Sequence, residues 1–191
     1  MILVRHGESH FNRHFNVTRE DPGIADPGLT PKGLEQARDA ARLVASLSPV
    51  TRILASPYWR TLQTAEALAE ILDLEVVIEP TVREHAFFTC DIGTPRSTLS
   101  SRWPSFSFGA LGERWWPERG ETEEEVRNRG QGFRQRMLAS ETWRGTVVVT
   151  HWGFIRSLTG QRVANGAVLG FDPQDGGAVL HRPPARARGT G

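Results

Sequence analysis

The chain opens on four uninterrupted apolar residues, Met1-Ile2-Leu3-Val4, followed at once by Arg5-His6-Gly7. A short unbroken apolar run reads as a buried strand. When such a strand stops at a glycine turn, its last side chains emerge at the carboxyl edge of a sheet, where open α/β folds hold their ligands. Here those side chains are a guanidinium and an imidazole. The guanidinium is a rigid fork matched to phosphate, and its charge favours the neutral imidazole, the form able to attack phosphorus.

The remaining chain alternates between strand-like and helix-like segments. Residues 13–29 are rich in Asp, Pro and Gly and read as a loop. Thr30-Pro31 then starts a helix over about 31–47, with Thr30 as its N-cap and Leu34, Ala37, Ala41, Val44 and Leu47 at helical spacing. Arg52 to Ala55 reads as a strand, 57–72 as a helix, and Leu74 to Ile78 as a third strand. Thr122 to Ala139 reads as a long helix, acidic in its first turn and basic late, although Gly130 and Gly132 weaken its middle. The β-branched run Thr146 to Thr150 predicts a central strand, followed by a helix over 153–158. Residues 166–172 and 177–182 suggest a final hairpin, and 183–191 a flexible tail. This alternation predicts an α/β fold, a mostly parallel central sheet with helices on both faces, in a single domain over 1–182.

Composition narrows the function classes. The 191 residues suffice for one domain with a sizeable core. The net charge of +1 supplies no field toward nucleic acid or membrane, and neither is expected as a partner. No apolar run has the length of a membrane span, and Met1 to Arg5 lacks the features of a signal peptide. The single cysteine, Cys90, cannot form an internal disulfide and fits a reducing cytoplasm. Of 23 basic residues only Lys32 is a lysine. Arginine is therefore so common that only arginines inside motifs count toward phosphate binding.

Three separated motifs carry the chemistry. The first is Leu3-Val4-Arg5-His6-Gly7-Glu8-Ser9 with Asn12. The second is Ser56-Pro57-Tyr58-Trp59-Arg60-Thr61-Leu62-Gln63-Thr64-Ala65. The third is Val147-Val148-Val149-Thr150-His151-Trp152-Gly153. Together they resemble the signature of the histidine phosphatase superfamily, the phosphoglycerate mutase-like proteins. The likeness runs from residue 1 to about 160, is weak over 85–120, and is absent in the tail. It implies the three-layer phosphoglycerate mutase-like fold. It further implies that His6 is the nucleophile, that Arg5, Arg60 and His151 form the phosphate pocket, and that Asn12 contributes an amide. Glu84 takes the place of the general acid, with Glu8 as the alternative. Gln63 is expected to support packing. Neither a metal nor a cofactor is called for. The spacing of His6, His10 and His14 mimics a metal site on one helical face, but Gly7 argues against a continuous helix there.

The implied function is hydrolysis of a small phosphomonoester through a phosphohistidine. The alternatives are a phosphoglycerate mutase-type phosphotransferase and a catalytically weak phospho-ligand binding module. The Glu-Arg-x-Tyr-Gly run of the mutases is missing, and Tyr58 is the only tyrosine, which favours water as acceptor. Residues 85–120 hold Phe87, Phe88, Trp103, Phe106, Phe108, Trp115 and Trp116. They form either a lid or substrate segment with an apolar mouth, or a satellite core under a long loop. Trp152 stands where the family usually has glycine, and its indole either narrows the pocket or packs outward.

Overall fold

The computed structural model describes residues 1–47, 49–140 and 142–181. One six-stranded sheet takes its strands from the whole of that span. They are β1 (Ile2–Arg5), β2 (Arg52–Ala55), β3 (Val76–Ile78), β4 (Thr146–Thr150), β5 (Val168–Phe171) and β6 (Ala178–His181), in the order β3-β2-β4-β1-β5-β6. β1 and β2 both run parallel to β4, and β3 parallel to β2. β5 is antiparallel to β1, and β6 to β5, forming the expected hairpin. The tail expected over 183–191 lies outside the described residues.

The helices are α1 (His10–Thr18), α2 (Pro31–Leu47), α3 (Trp59–Leu72), α4 (Arg96–Arg102), α5 (Glu123–Ala139) and α6 (Trp152–Thr159). Side chains alternate across a strand, and here each face meets its own helices. Ile2, Val4, Ile53, Ala55, Val147 and Val149 pack with Ala41 and Val44 of α2 and Leu62, Ala65 and Leu68 of α3. Leu3, Leu54, Val148 and Leu169 face the other way, onto Phe133 of α5 and Phe154 and Ile155 of α6. Both faces are covered, which explains why the central strands are apolar without alternation. Gly130 does not break α5; it brings that helix against Leu158 and Phe154 of α6.

Two expectations need correction. Residues 13–29 are not all loop, since α1 runs from His10 to Thr18. Its start is a capping box in which the Ser9 hydroxyl accepts the Asn12 N–H at 3.2 Å and the Asn12 carbonyl oxygen accepts the Ser9 N–H at 3.1 Å. Asparagine in place of glutamate, and an apolar face reduced to Phe11 and Phe15, hid this helix from the sequence pattern. Residues 85–120 also divide between their two readings. Trp103, Phe106 and Phe108 are buried in the main core. Between them and the strand edge, Ser107 exchanges backbone bonds with β3, its N–H donating to Val76 at 2.8 Å and its carbonyl accepting from Ile78 at 2.9 Å. This caps an otherwise open sheet edge. Phe87 and Phe88 lie apart from that core.

The turn after His6 is fixed by glycine. A Cβ on Gly33, in the first turn of α2, would lie 2.1 Å from the Glu8 carbonyl oxygen. A Cβ on Gly7 would lie 2.1 Å from the Gly33 carbonyl oxygen. Two backbones thus pack in direct contact, joined where Thr30 donates its N–H to the Glu8 carbonyl at 2.8 Å. Alanine at Gly33 gains about 1 kcal/mol of helix propensity but meets an overpacking cost of about 1–3 kcal/mol or more against unyielding backbone. Gly33→Ala is therefore expected to lower the urea unfolding midpoint; a midpoint raised as propensity alone dictates would contradict this packing.

Candidate active site

β1 and β4 pair with Arg5 opposite Thr150, so the residues that follow them, His6 and His151, leave the sheet side by side. The His6 N–H still bonds the Thr150 carbonyl at 3.0 Å, and the two rings meet edge-on with centroids 5.1 Å apart. Ser56, which follows β2, sets its hydroxyl 2.8 Å from His151 Nε2. Three parallel strand ends therefore converge on one edge.

The ring of His6 is held in one tautomer. Its Nδ1 lies 2.7 Å from the Gly7 carbonyl oxygen, which can only accept, so Nδ1 carries the proton and Nε2 keeps its lone pair. Burial, and then the charges of Arg60 and Arg5, hold the imidazole well below the usual histidine range. His6 is neutral at pH 7 and lines a cleft of about 450 Å³. His151 is also kept neutral, by burial and by Arg60. It stands fully buried behind the cleft wall, and its Nδ1 has no partner among the described residues.

Arg5, Arg60, Asn12 and Glu84 line the same cleft. Arg5 donates to the Val163 carbonyl at 2.6 Å, while its buried Nε has no partner among the described residues. Burial pulls its guanidinium down to about 10, which still leaves it charged at neutral pH. Asn12 spends its amide oxygen on Ser9 and on Asn165 Nδ2, the latter at 3.0 Å. What it can offer the cleft is Nδ2.

Arg60 is the most constrained member. Its Nη1 donates to the Cys90 carbonyl at 2.9 Å and its Nη2 to Asp91 Oδ1 at 3.1 Å. The guanidinium also lies over the Tyr58 ring, 4.3 Å from the centroid. Arg60 and Asp91 are each only 3% exposed, so this is a buried ion pair. A buried pair persists only when its other hydrogen-bonding positions are filled. Asp91 Oδ2 meets this need by accepting the N–H groups of Phe87 and Phe88, both at 3.0 Å. Asp91 was not among the expected site residues. It lies 31 positions from Arg60 in a segment without periodicity, so no spacing rule points to it.

Glu84 reaches the cleft from the loop after β3. Its Oε1 accepts the N–H groups of His85 and Gly153, each at 2.8 Å. A Cβ on Gly153 would lie 2.5 Å from that oxygen, so glycine at this position is what admits the carboxyl. Burial and the neighbouring Asp91 raise its pKa, against the opposing pull of Arg60. The loop is tied from two sides. The Thr150 hydroxyl donates to the Val82 carbonyl at 2.6 Å. Arg129 of α5 donates to the carbonyls of Thr81, Arg83 and Glu84 at 2.8, 2.9 and 3.2 Å. Nothing in the sequence singles out Arg129, one arginine among 22.

A model of the histidine phosphatase superfamily (branch 1) matches residues 1–171. The chain belongs to this superfamily. Among curated relatives, a probable phosphoglycerate mutase GpmB from Photorhabdus laumondii is 43% identical over 84 residues, 44% of this chain and 37% of that protein. The Proteus mirabilis protein of the same name is 39% identical over the same shares. The match thus spans well under half the length of these relatives. Among solved structures, a mycobacterial glucosyl-3-phosphoglycerate phosphatase is 23% identical, with a TM-score of 0.61 over 88% of this chain and 87% of that one. The Entamoeba histolytica phosphoserine phosphatase, in complex with 3-phosphoglyceric acid, is likewise 23% identical, with a TM-score of 0.61 over 95% and 94%. These likenesses show the shared fold.

Of the other candidate residues of this superfamily member, Glu8, Gln63, His10 and His14 fall outside the cleft. Glu8 is held by Lys32 at 2.9 Å and the Thr30 hydroxyl at 3.0 Å, at the base of α2. Gln63 accepts the Leu29 N–H at 2.7 Å and serves packing. His10 and His14 share α1, but the helix does not extend through Gly7 to His6: His6 is buried before the helix begins, and His14 is exposed. Cys90 lines the cleft, yet burial raises its thiol well above the usual range, which leaves it a poor nucleophile. Trp152 also lines the cleft.

The neutral buried histidines make stability pH-dependent. Below pH 6.5 the unfolded chain binds protons at both rings and the folded chain does not, so stability falls as pH falls. Each ring contributes a slope of up to about 1.4 kcal/mol per pH unit below its unfolded pKa. Urea unfolding between pH 7.5 and 5.5 should show a shallower loss for His151→Asn than for the wild type; equal slopes would mean that His151 is charged when folded.

Proposed function

We propose that this chain hydrolyses small phosphomonoesters through a covalent phosphohistidine on His6, with Glu84 as general acid and then general base. The reading rests on the Nδ1 bond to the Gly7 carbonyl, which leaves a neutral Nε2 in a cleft that Arg5, Arg60 and Glu84 share. In the first step Nε2 bonds to phosphorus and the ester P–O bond breaks. Protonated Glu84 gives its proton to the leaving oxygen, consistent with its raised pKa. In the second step Glu84 takes a proton from water, the water oxygen bonds to phosphorus, and phosphate leaves with Nε2 restored. Arg5, Arg60 and the Asn12 amide hold the equatorial oxygens, donors fixed in place before charge develops. His151 supports the His6 ring from behind the cleft wall. None of these steps draws on a metal or cofactor. The lone cysteine supports a reducing, cytoplasmic setting.

The names of the curated relatives favour a second reading, transfer of the phosphoryl group between phosphoglycerates. Incubation of 3-phosphoglycerate with the protein separates the two. Release of inorganic phosphate without 2-phosphoglycerate supports the hydrolase; isomer exchange without release supports the mutase.

The first test uses a generic aryl phosphate in the presence of chelator. Wild type is expected to release phosphate, and His6→Ala to fall below detection while keeping its circular dichroism spectrum. Glu84→Gln should lose about 10²–10⁴-fold, the usual range for an acid–base group. Wild-type kcat should decline as rising pH strips the proton from Glu84. Undiminished turnover by His6→Ala would overturn the phosphohistidine.

A further inference from the structure

We propose that the cleft carries a subsite for an aromatic leaving group, so that the preferred substrate is a phosphomonoester bearing a flat apolar ring near its phosphate. The proposal rests on the hydrolase reading above and adds the substrate class to it.

The subsite is built on α1. Phe11, Asn12, Phe15 and Asn16 fall on one face of that helix, and all four line the cleft together with Arg19, its C-cap. Nearest the turn after His6, Asn12 faces the phosphoryl end. Phe11 and Phe15 stack at 5.2 Å, and Phe88 tilts against both, 5.3 Å from Phe11 and 5.1 Å from Phe15. Phe15 and Phe88 stay partly exposed while lining the cleft. Phe87 packs edge-on against Phe88 at 4.9 Å and is 74% exposed, a cost that core packing does not explain.

This aromatic wall is mechanically joined to the phosphate end. Asp91 holds Arg60 with one carboxylate oxygen and the backbone N–H groups of Phe87 and Phe88 with the other. The loop is pinned again where the Thr89 N–H donates to Asp21 at 2.8 Å. The distance between the phosphate-holding guanidinium and the phenyl rings is therefore set by one buried side chain. A ring entering this space can stack or meet phenyl edges, which aromatic pairs prefer. A polyhydroxylated leaving group would set its hydroxyls against phenyl faces and leave them unpaired. The polar groups of the wall beyond the phosphate end are Asn16, His85 and, at the outer rim, the exposed Arg19.

The test compares two esters with primary alkoxide leaving groups, 2-phenylethyl phosphate and glycerol 1-phosphate, so that leaving-group chemistry does not decide the result. Burial of the ring should favour the phenylethyl ester by about tenfold or more in kcat/KM, mostly through KM. Phe15→Ala and Phe88→Ala should shrink that preference to about twofold, as buried area is lost. Phe88→Leu, which keeps bulk without the ring, serves if the alanine variant unfolds. Equal or better turnover of glycerol 1-phosphate, or a preference untouched by these variants, overturns the subsite. Turnover of neither ester, and of no aryl phosphate, overturns the hydrolase reading instead. The subsite is then decided by calorimetry: phenylphosphonate binding about tenfold tighter than methylphosphonate upholds it, and equal binding overturns it.

Discussion

The parallel pairing of β1 with β4 is the constraint on which the rest depends. It brings His6 beside His151 although they lie 145 positions apart in the chain, and it does so by backbone hydrogen bonds. A slip of one residue would reverse every side chain of β1 across the sheet. Leu3 would then face α2 and α3, with Ile2 and Val4 turned toward α5 and α6. The two-sided core thus locks the register, and the register sets the distance between the histidines. The placement of the two histidines is a by-product of how apolar strands bury both faces.

Electrostatics then decides what those side chains can do. Two charged arginines converge with two neutral, buried imidazoles at one sheet edge, and the guanidiniums repel each other unless a counter-charge is supplied. Asp91 supplies it for Arg60, which places a carboxylate next to the proposed phosphate site. Burial, reinforced by the same carboxylate, raises Glu84 toward its protonated form. One residue thus steadies a cation, tunes an acid and anchors the Phe87–Phe88 segment. Removing one partner of such a buried pair generally costs about 3–5 kcal/mol, because an uncompensated charge is left behind.

Residues whose roles depend on local pattern are legible in the amino-acid sequence itself. The apolar runs of β1, β2 and β4, the Thr30 cap of α2 and the motif residues His6, Arg60 and His151 all fall in continuous stretches with a period or a signature, while Glu84 is reached only through the family resemblance. What the sequence conceals depends on contacts across the fold. Asp91 and Arg129 act on partners 31 and 45 or more positions away, with no spacing to betray them. The helix α1 is hidden because a serine–asparagine box opens it and only two phenylalanines mark its apolar side. The segment over 85–120 resists assignment to one role because it has two: its later aromatics complete the core at the β3 edge, and its earlier ones line the cleft.

The account turns on a phosphoryl group passing through Nε2 of His6. The most direct measurement is rapid-quench mass spectrometry of the Glu84→Gln protein mixed with an aryl phosphate, in which slowed hydrolysis should let the covalent species accumulate. One added phosphoryl group, acid-labile, base-stable and mapped to the peptide containing His6, is the predicted result. Turnover by this protein with no such adduct at any quench time, or with the adduct mapped elsewhere, would contradict it.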